Sequence, residues 1–126
     1  MTRPRTSHYA EISPYVTKDG STIRELLHPD HHGVEHQSLA EARIPVGART
    51  LLHRHHRTEE LYHIQAGHGV MTLAEQRFEV SPGDSVAIAP GTPHAIENCG
   101  EEELVLLCCC SPAYHHDDTE LLEDSR

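Results

Sequence analysis

Along the middle of the chain, apolar residues come in short stretches separated by glycine- and proline-rich punctuation. The pattern predicts β-strands at 22–28, 38–45, 60–66, 69–73, 77–80, 85–89, 94–98 and 103–110. The breaks between them fall at Gly47, Gly67 and Gly69, Pro82-Gly83-Asp84, Pro90-Gly91-Thr92-Pro93 and Cys99-Gly100, all turn-forming sequences. No helical apolar stripe of useful length occurs between 38 and 110. The spacing is that of one sandwich or barrel, with no internal repeat and no second domain. Residues 1–21, with two prolines, read as an N-terminal arm, and 22–112 as the barrel. Residues 113–126 read as an acidic C-terminal tail, in which 119–123 forms one helical turn or stays loose.

Composition narrows the function. The chain has 126 residues, enough for one domain to bury a core, and a formal charge of −10. So acidic a chain repels phosphate backbones, so nucleic acid is not an expected partner. No apolar run approaches the roughly 18 residues of a membrane span. The polar start, Met1-Thr2-Arg3-Pro4-Arg5, is followed by no apolar stretch of the signal-peptide kind. Cys108-Cys109-Cys110 makes a poor disulfide framework, because neighbouring strand residues point to opposite faces. The thiols are therefore read as reduced and the compartment as cytoplasmic. With no Trp and one Phe, the core must be built from aliphatic residues.

The compositional anomaly is histidine, present 13 times. Histidine is the commonest protein ligand for transition metals. The segment from Gly47 to Gly67 has the pattern G-x5-H-x-H-x4-E-x6-G. Residues i and i+2 of a strand share a face, so His53 and His55 present two imidazoles together. A turn then leads into a strand where Glu60 adds a carboxylate. The alternative, Glu59, would turn Leu61, His63 and Gln65 inward, whereas Glu60 takes Tyr62 and Ile64 with it. The segment from Gly83 to Asn98 supplies His94 just after a Pro/Gly turn, and barrel closure is expected to bring it opposite the other three.

These two segments resemble the paired motifs of the cupin family. The first matches the family pattern throughout. The second matches at Gly83, Gly91, His94 and Asn98 and departs at Ala89, where the family usually has proline; Pro90 follows one place later. The resemblance implies a double-stranded β-helix, or jelly-roll barrel, with little or no helix. It also implies one divalent metal ion (Fe, Mn, Ni, Co or Zn) held by His53, His55, Glu60 and His94. Four convergent ionisable groups would be costly to desolvate without a cation. The function so implied is that of a metal-dependent enzyme, of oxygenase type, on a small oxygenated organic substrate. A Lewis-acid isomerase, lyase or cyclase and a non-enzymatic small-molecule-binding protein stand as alternatives.

Around the metal, a small apolar pocket is expected, walled by Tyr62, Ile64 and Ile96; Ile96 shares the strand face of His94. Cys108 and Cys110 share one face of their strand and approach the pocket if that face is inward. His28, His31, His32 and His36, and His115-His116 near the end, read as solvated loops rather than a second metal site. A homodimer is expected, formed by pairing of an N-terminal edge strand.

Overall fold

The computed structural model describes residues 5–124, which form two antiparallel sheets around one core. In chain order the strands are β1 (Tyr15–Val16), β2 (Thr22–Leu27), β3 (Ser38–Ile44), β4 (His53–His55), β5 (Glu59–Ala66), β6 (Gly69–Leu73), β7 (Gln76–Val80), β8 (Ser85–Ile88), β9 (His94–Asn98), β10 (Leu104–Ser111) and β11 (Thr119–Leu121). One sheet has the order β1-β2-β3-β10-β5-β8 and the other β11-β4-β9-β6-β7. The one short α-helix among the described residues, α1 (Pro29–His32), lies between β2 and β3. The all-β barrel expected from the apolar pattern is present, and each expected strand has a counterpart within a residue or two.

Strand parity sets what faces the interior. Along β5, Glu60, Tyr62 and Ile64 are buried while Glu59, Leu61 and His63 are exposed. Pairing carries this inner face across the larger sheet. One row runs Ile23, Ala42, Leu106 and Ile64; the next runs Glu25, Ala40, Cys108, Tyr62 and Val86. The first row is core. The second turns polar at its far end, on β2.

The glycines of the two motifs have physical reasons. Gly67 has φ +83°, and a Cβ there would stand 2.7 Å from the Glu103 carbonyl oxygen, so no other residue fits. Gly91 has φ +81° behind Pro90, and Thr92 N–H bonds the Ala89 carbonyl at 3.2 Å. Pro then Gly at the centre of a four-residue turn is the type II signature. The turn therefore forms although proline sits one place later than the family pattern has it.

Three strands were not among those the apolar pattern predicts. β4 reads His-Arg-His and has no apolar residue to announce it. β1 is two residues long and pairs with β2, so part of the N-terminal arm joins the sheet. The expected helical turn or loose chain at 119–123 is corrected: Thr119–Leu121 is β11, paired antiparallel with β4. The pairing succeeds because β4 would otherwise be an open edge, and Glu123 anchors the far end. Its carboxylate accepts from Arg49 Nη1 and from Leu52 N–H, both at 2.6 Å.

Candidate metal centre

The site is assembled by two neighbouring strands and one from the opposite sheet. His53 and His55 lie on the buried face of β4. His94 begins β9 and is the direct register partner of His53. It therefore arrives alongside the first two histidines, not opposite them as expected. Glu60 is the residue that comes from across, because the turn at 56–58 carries the chain from one sheet to the other. All four side chains are almost completely buried.

The imidazole rings cluster tightly. Centroids of His53 and His94 are 4.2 Å apart, and each lies little more than 5 Å from His55. Their ligand atoms fall within 4.8 Å of one another, close enough to hold one ion. Among the described residues this is the sole group of three or more His, Cys, Asp or Glu so arranged. Each ring is fixed by its Nδ1. His53 Nδ1 meets the Leu51 carbonyl at 2.6 Å, and His94 Nδ1 meets the Thr92 carbonyl at 2.9 Å. Both must be N–H donors, so each Nε2 carries a free lone pair. His55 Nδ1 lies 2.9 Å from Thr119 Oγ1, whose hydroxyl donates to the His115 carbonyl. That hydroxyl is left to accept, which fixes the same tautomer in His55.

Glu60 Oε1 stands 3.1 Å from His55 Nε2 and 3.4 Å from His94 Nε2. Neither contact has hydrogen-bond geometry, and both Glu60 Oε1 and His94 Nε2 are buried with no partner. Burial raises the Glu60 carboxyl, but His55 and His94, when their Nε2 atoms carry a proton in the absence of an ion, outweigh it and hold the group below the usual carboxylate range. Burial, with the neighbouring His94, pushes His53 down, towards the neutral form a ligand needs. The Cys110 thiol approaches the other Glu60 oxygen, Oε2, at 3.3 Å. Burial first, then the Glu60 charge, pushes that thiol well up, so it is a donor and not a thiolate.

A narrow cavity of about 40 Å³ adjoins the cluster. Tyr62 and Ile96 line it, as do Cys108 and Cys110. Ile64 does not: it lies one step further along β5 and packs into the core row with Leu106, a correction to the expected wall. Asn98 of the second motif ties loops together instead, donating to the Ile44 and Glu102 carbonyls and accepting from Gly100 N–H.

The chain matches the cupin domain over residues 40–110, more than half its length. It belongs to the cupin family. A curated relative, an uncharacterised protein of Methanocaldococcus jannaschii, is 56% identical over 117 residues, covering 93% of this cupin and 94% of the relative. Among solved structures, a predicted oxalate decarboxylase of Thermotoga maritima is 25% identical, with TM-score 0.73 over 83% of this chain and 96% of that one. The polyketide cyclase RemF of Streptomyces resistomycificus superposes with TM-score 0.79 over 100% of this chain and 89% of that one. At 18% identity that likeness concerns the fold alone.

The sequence reading missed the residues that this cupin's two ends bring to the cavity: Asp19, Glu25, Tyr114 and Thr119. Asp19 Oδ2 lies 3.4 Å from His53 Nε2. Asp19-Gly20 is a turn signal, and Glu25 shares the parity of Ile23, so two of the four left a trace in the sequence. Tyr114 and Thr119 left none. Two of the other histidines, His28 and His115, hold loops together. His28 Nδ1 accepts from Asp30 N–H while its Nε2 meets the Tyr114 carbonyl, and His115 caps the turn at 116–118 in the same way. Among the described residues no helix is long and apolar enough to cross a membrane.

Proposed function

We propose that this cupin holds one divalent transition-metal ion through His53, His55, Glu60 and His94. On that reading it is a metal-dependent enzyme of the oxygenase type acting on a small oxygenated organic molecule. The observation that carries the metal is the pair of buried, partnerless atoms, His94 Nε2 and Glu60 Oε1, 3.4 Å apart. Left so, each costs a full desolvation penalty; a cation between them satisfies both. Three imidazoles and one carboxylate suit Fe, Mn, Ni, Co or Zn and leave positions free for substrate. Such an ion supplies Lewis acidity or one-electron chemistry with dioxygen. The chain's own share is to hold the three rings in one tautomer, to place Glu60 beside them, and to shield the site with Tyr62, Ile96 and Leu106.

Asp19 favours a second reading. Its carboxylate faces the cluster beside His53 and is placed to take a proton from a substrate polarised there. That is the arrangement a Lewis-acid isomerase, lyase or cyclase needs. The test begins with metal analysis of untagged protein and continues with oxygen-electrode assays on small diols, enols and thiols. Oxygen consumed with product formed supports the oxygenase reading. Equal turnover under nitrogen supports the second, and metal content well below one ion per chain removes both.

The assembly we propose is a homodimer paired along β1, where Tyr15 and Val16 leave an apolar edge exposed. Light scattering at the monomer mass over a wide concentration range would refute it.

A further inference from the structure

The metal candidates occupy one end of the cavity; away from them, on β2, lies a further carboxylate. Glu25, on the inner face of β2, is more than nine-tenths buried and lines the cavity. Its Oε2 accepts from the Tyr15 hydroxyl at 2.8 Å, while Oε1 has no partner among the described residues. A buried carboxylate oxygen with nothing to accept from is costly, and that cost persists unless a ligand supplies a donor. β2 and β5 are three strand spacings apart in the sheet, or about 14 Å at the backbone. Glu25 therefore faces the metal end across the width of the cavity floor.

Asp19 stands beside His53 and is held rigidly. Its Oδ1 accepts from Thr17 Oγ1 at 2.7 Å, from Ser21 N–H at 2.9 Å and from Ser21 Oγ at 2.6 Å. These three bonds fix the carboxylate plane and leave Oδ2 to the interior, with His53 as its neighbour. A polar group locked by its own bonds before any ligand arrives is the arrangement that gives specificity at low entropic cost.

Among the described residues no Lys or Arg lines this cavity. Lys18, beside Asp19, is turned away, with its ammonium on the Thr119 carbonyl at 2.7 Å. A divalent ion with the carboxylates of Glu60, Asp19 and Glu25 leaves a formal balance of one negative charge, with the three imidazoles neutral. A dicarboxylate or phosphate ester would enter with nothing cationic to meet its far end.

We propose that the ligand of this cavity is neutral or cationic: a small molecule with metal-chelating oxygens at one end and hydroxyl or ammonium donors at the other. Asp19 and Glu25 read those donors. The inference rests on the metal-centre reading above and adds the substrate class.

Three hydroxamates with a common chelating head and different tails test it. Acetohydroxamate ends in a methyl group, glycine hydroxamate in an ammonium and malonic acid monohydroxamate in a carboxylate. Each is titrated into the cobalt(II)-loaded protein, with the visible cobalt spectrum reporting binding. The ammonium tail should bind about tenfold more tightly than the methyl tail, the scale of one charge-assisted hydrogen bond, and the carboxylate tail more weakly than both. Glu25→Gln and Asp19→Asn together should level the three affinities, and Glu25→Gln alone should leave cobalt content unchanged. Equal affinities in the wild-type protein, or preference for the carboxylate tail, overturn the proposal while leaving the metal centre standing. A protein that takes up no cobalt overturns the metal-centre reading, and this proposal with it. The wild-type series decides the matter even where a variant folds poorly.

Discussion

The central segment and the two ends of the chain contribute to one cavity in opposite ways. Residues 53–94 contain all four proposed metal ligands, each fixed by strand parity or a turn a few residues away. The ends, 15–25 and 111–123, contribute no proposed ligand. They supply Asp19 and Glu25 to the cavity, Thr119 to the back of His55, and Glu123 to clamp the last strand. On the proposed reading the labour is divided: the centre decides whether an ion binds, and the ends decide how firmly its ligands are held and what else fits beside it.

The largest expected effect breaks the centre. His94→Ala removes the proposed ligand paired directly with His53 and should lower metal affinity by more than about 100-fold, since even outer partners of metal ligands are worth about 10- to 100-fold. Metal analysis after dialysis against a weak chelator checks it; a variant that keeps one ion per chain shows the ligand set to be different.

The next tests whether the ends matter to the ion at all. Thr119→Val keeps the shape of β11 but gives His55 Nδ1 no acceptor. Affinity should fall by about tenfold with the fold intact, as read by competition with a fluorescent chelator. An unchanged affinity would confine the contribution of the C-terminal end to structure.

Acid should unravel the metal-free protein from the centre outward. Burial lowers the His53 pKa below its ordinary 6.5. Its unfolded imidazole therefore takes a proton at a higher pH than the folded one does. Stability is full above about pH 6.5 and is lost as pH falls below it. Glu60, held below its ordinary 4.5, acts lower down: its contribution is present above that value and is lost as pH falls towards the depressed folded pKa. Thermal melts of metal-free protein between pH 8 and 5 should slope downwards on acidification, and added metal should raise the melting temperature most at the upper end and so steepen the slope, because protons compete with the ion for the imidazoles.

The smallest effect belongs to the clamp. Glu123 is held at about 2 by Arg49 and the Leu52 N–H. Glu123→Gln should lower the melting temperature by about 3 °C, the scale of a half-exposed ion pair in a chain of this size, without changing metal content. Acid should leave the clamp in place until pH falls well below 4.5. A large loss of bound metal in this variant would mean that β11 orders the centre more strongly than Thr119 alone accounts for.

Much of this protein was determined by its sequence. Alternation of apolar and polar positions, broken at fixed glycines and prolines, specified eight strands, because side-chain direction along a strand depends on local position alone. The same rule chose Glu60 over Glu59 and set His53 and His55 on one face. Gly67 and Gly91 marked places where the backbone allows little else. What the tertiary structure alone decided is the partnership between strands. β4 carries no apolar residue, so nothing local shows that it pairs with β9 on one side and β11 on the other. Ile64 and Tyr62 have the same parity, yet Tyr62 lines the cavity and Ile64 does not, a distinction that parity alone does not make. Asp19, Glu25, Tyr114 and Thr119 lie far from the motifs in sequence. They meet the ligands only after the barrel closes, because the energy that brings them there is the burial of the whole core and not any preference of their own segments.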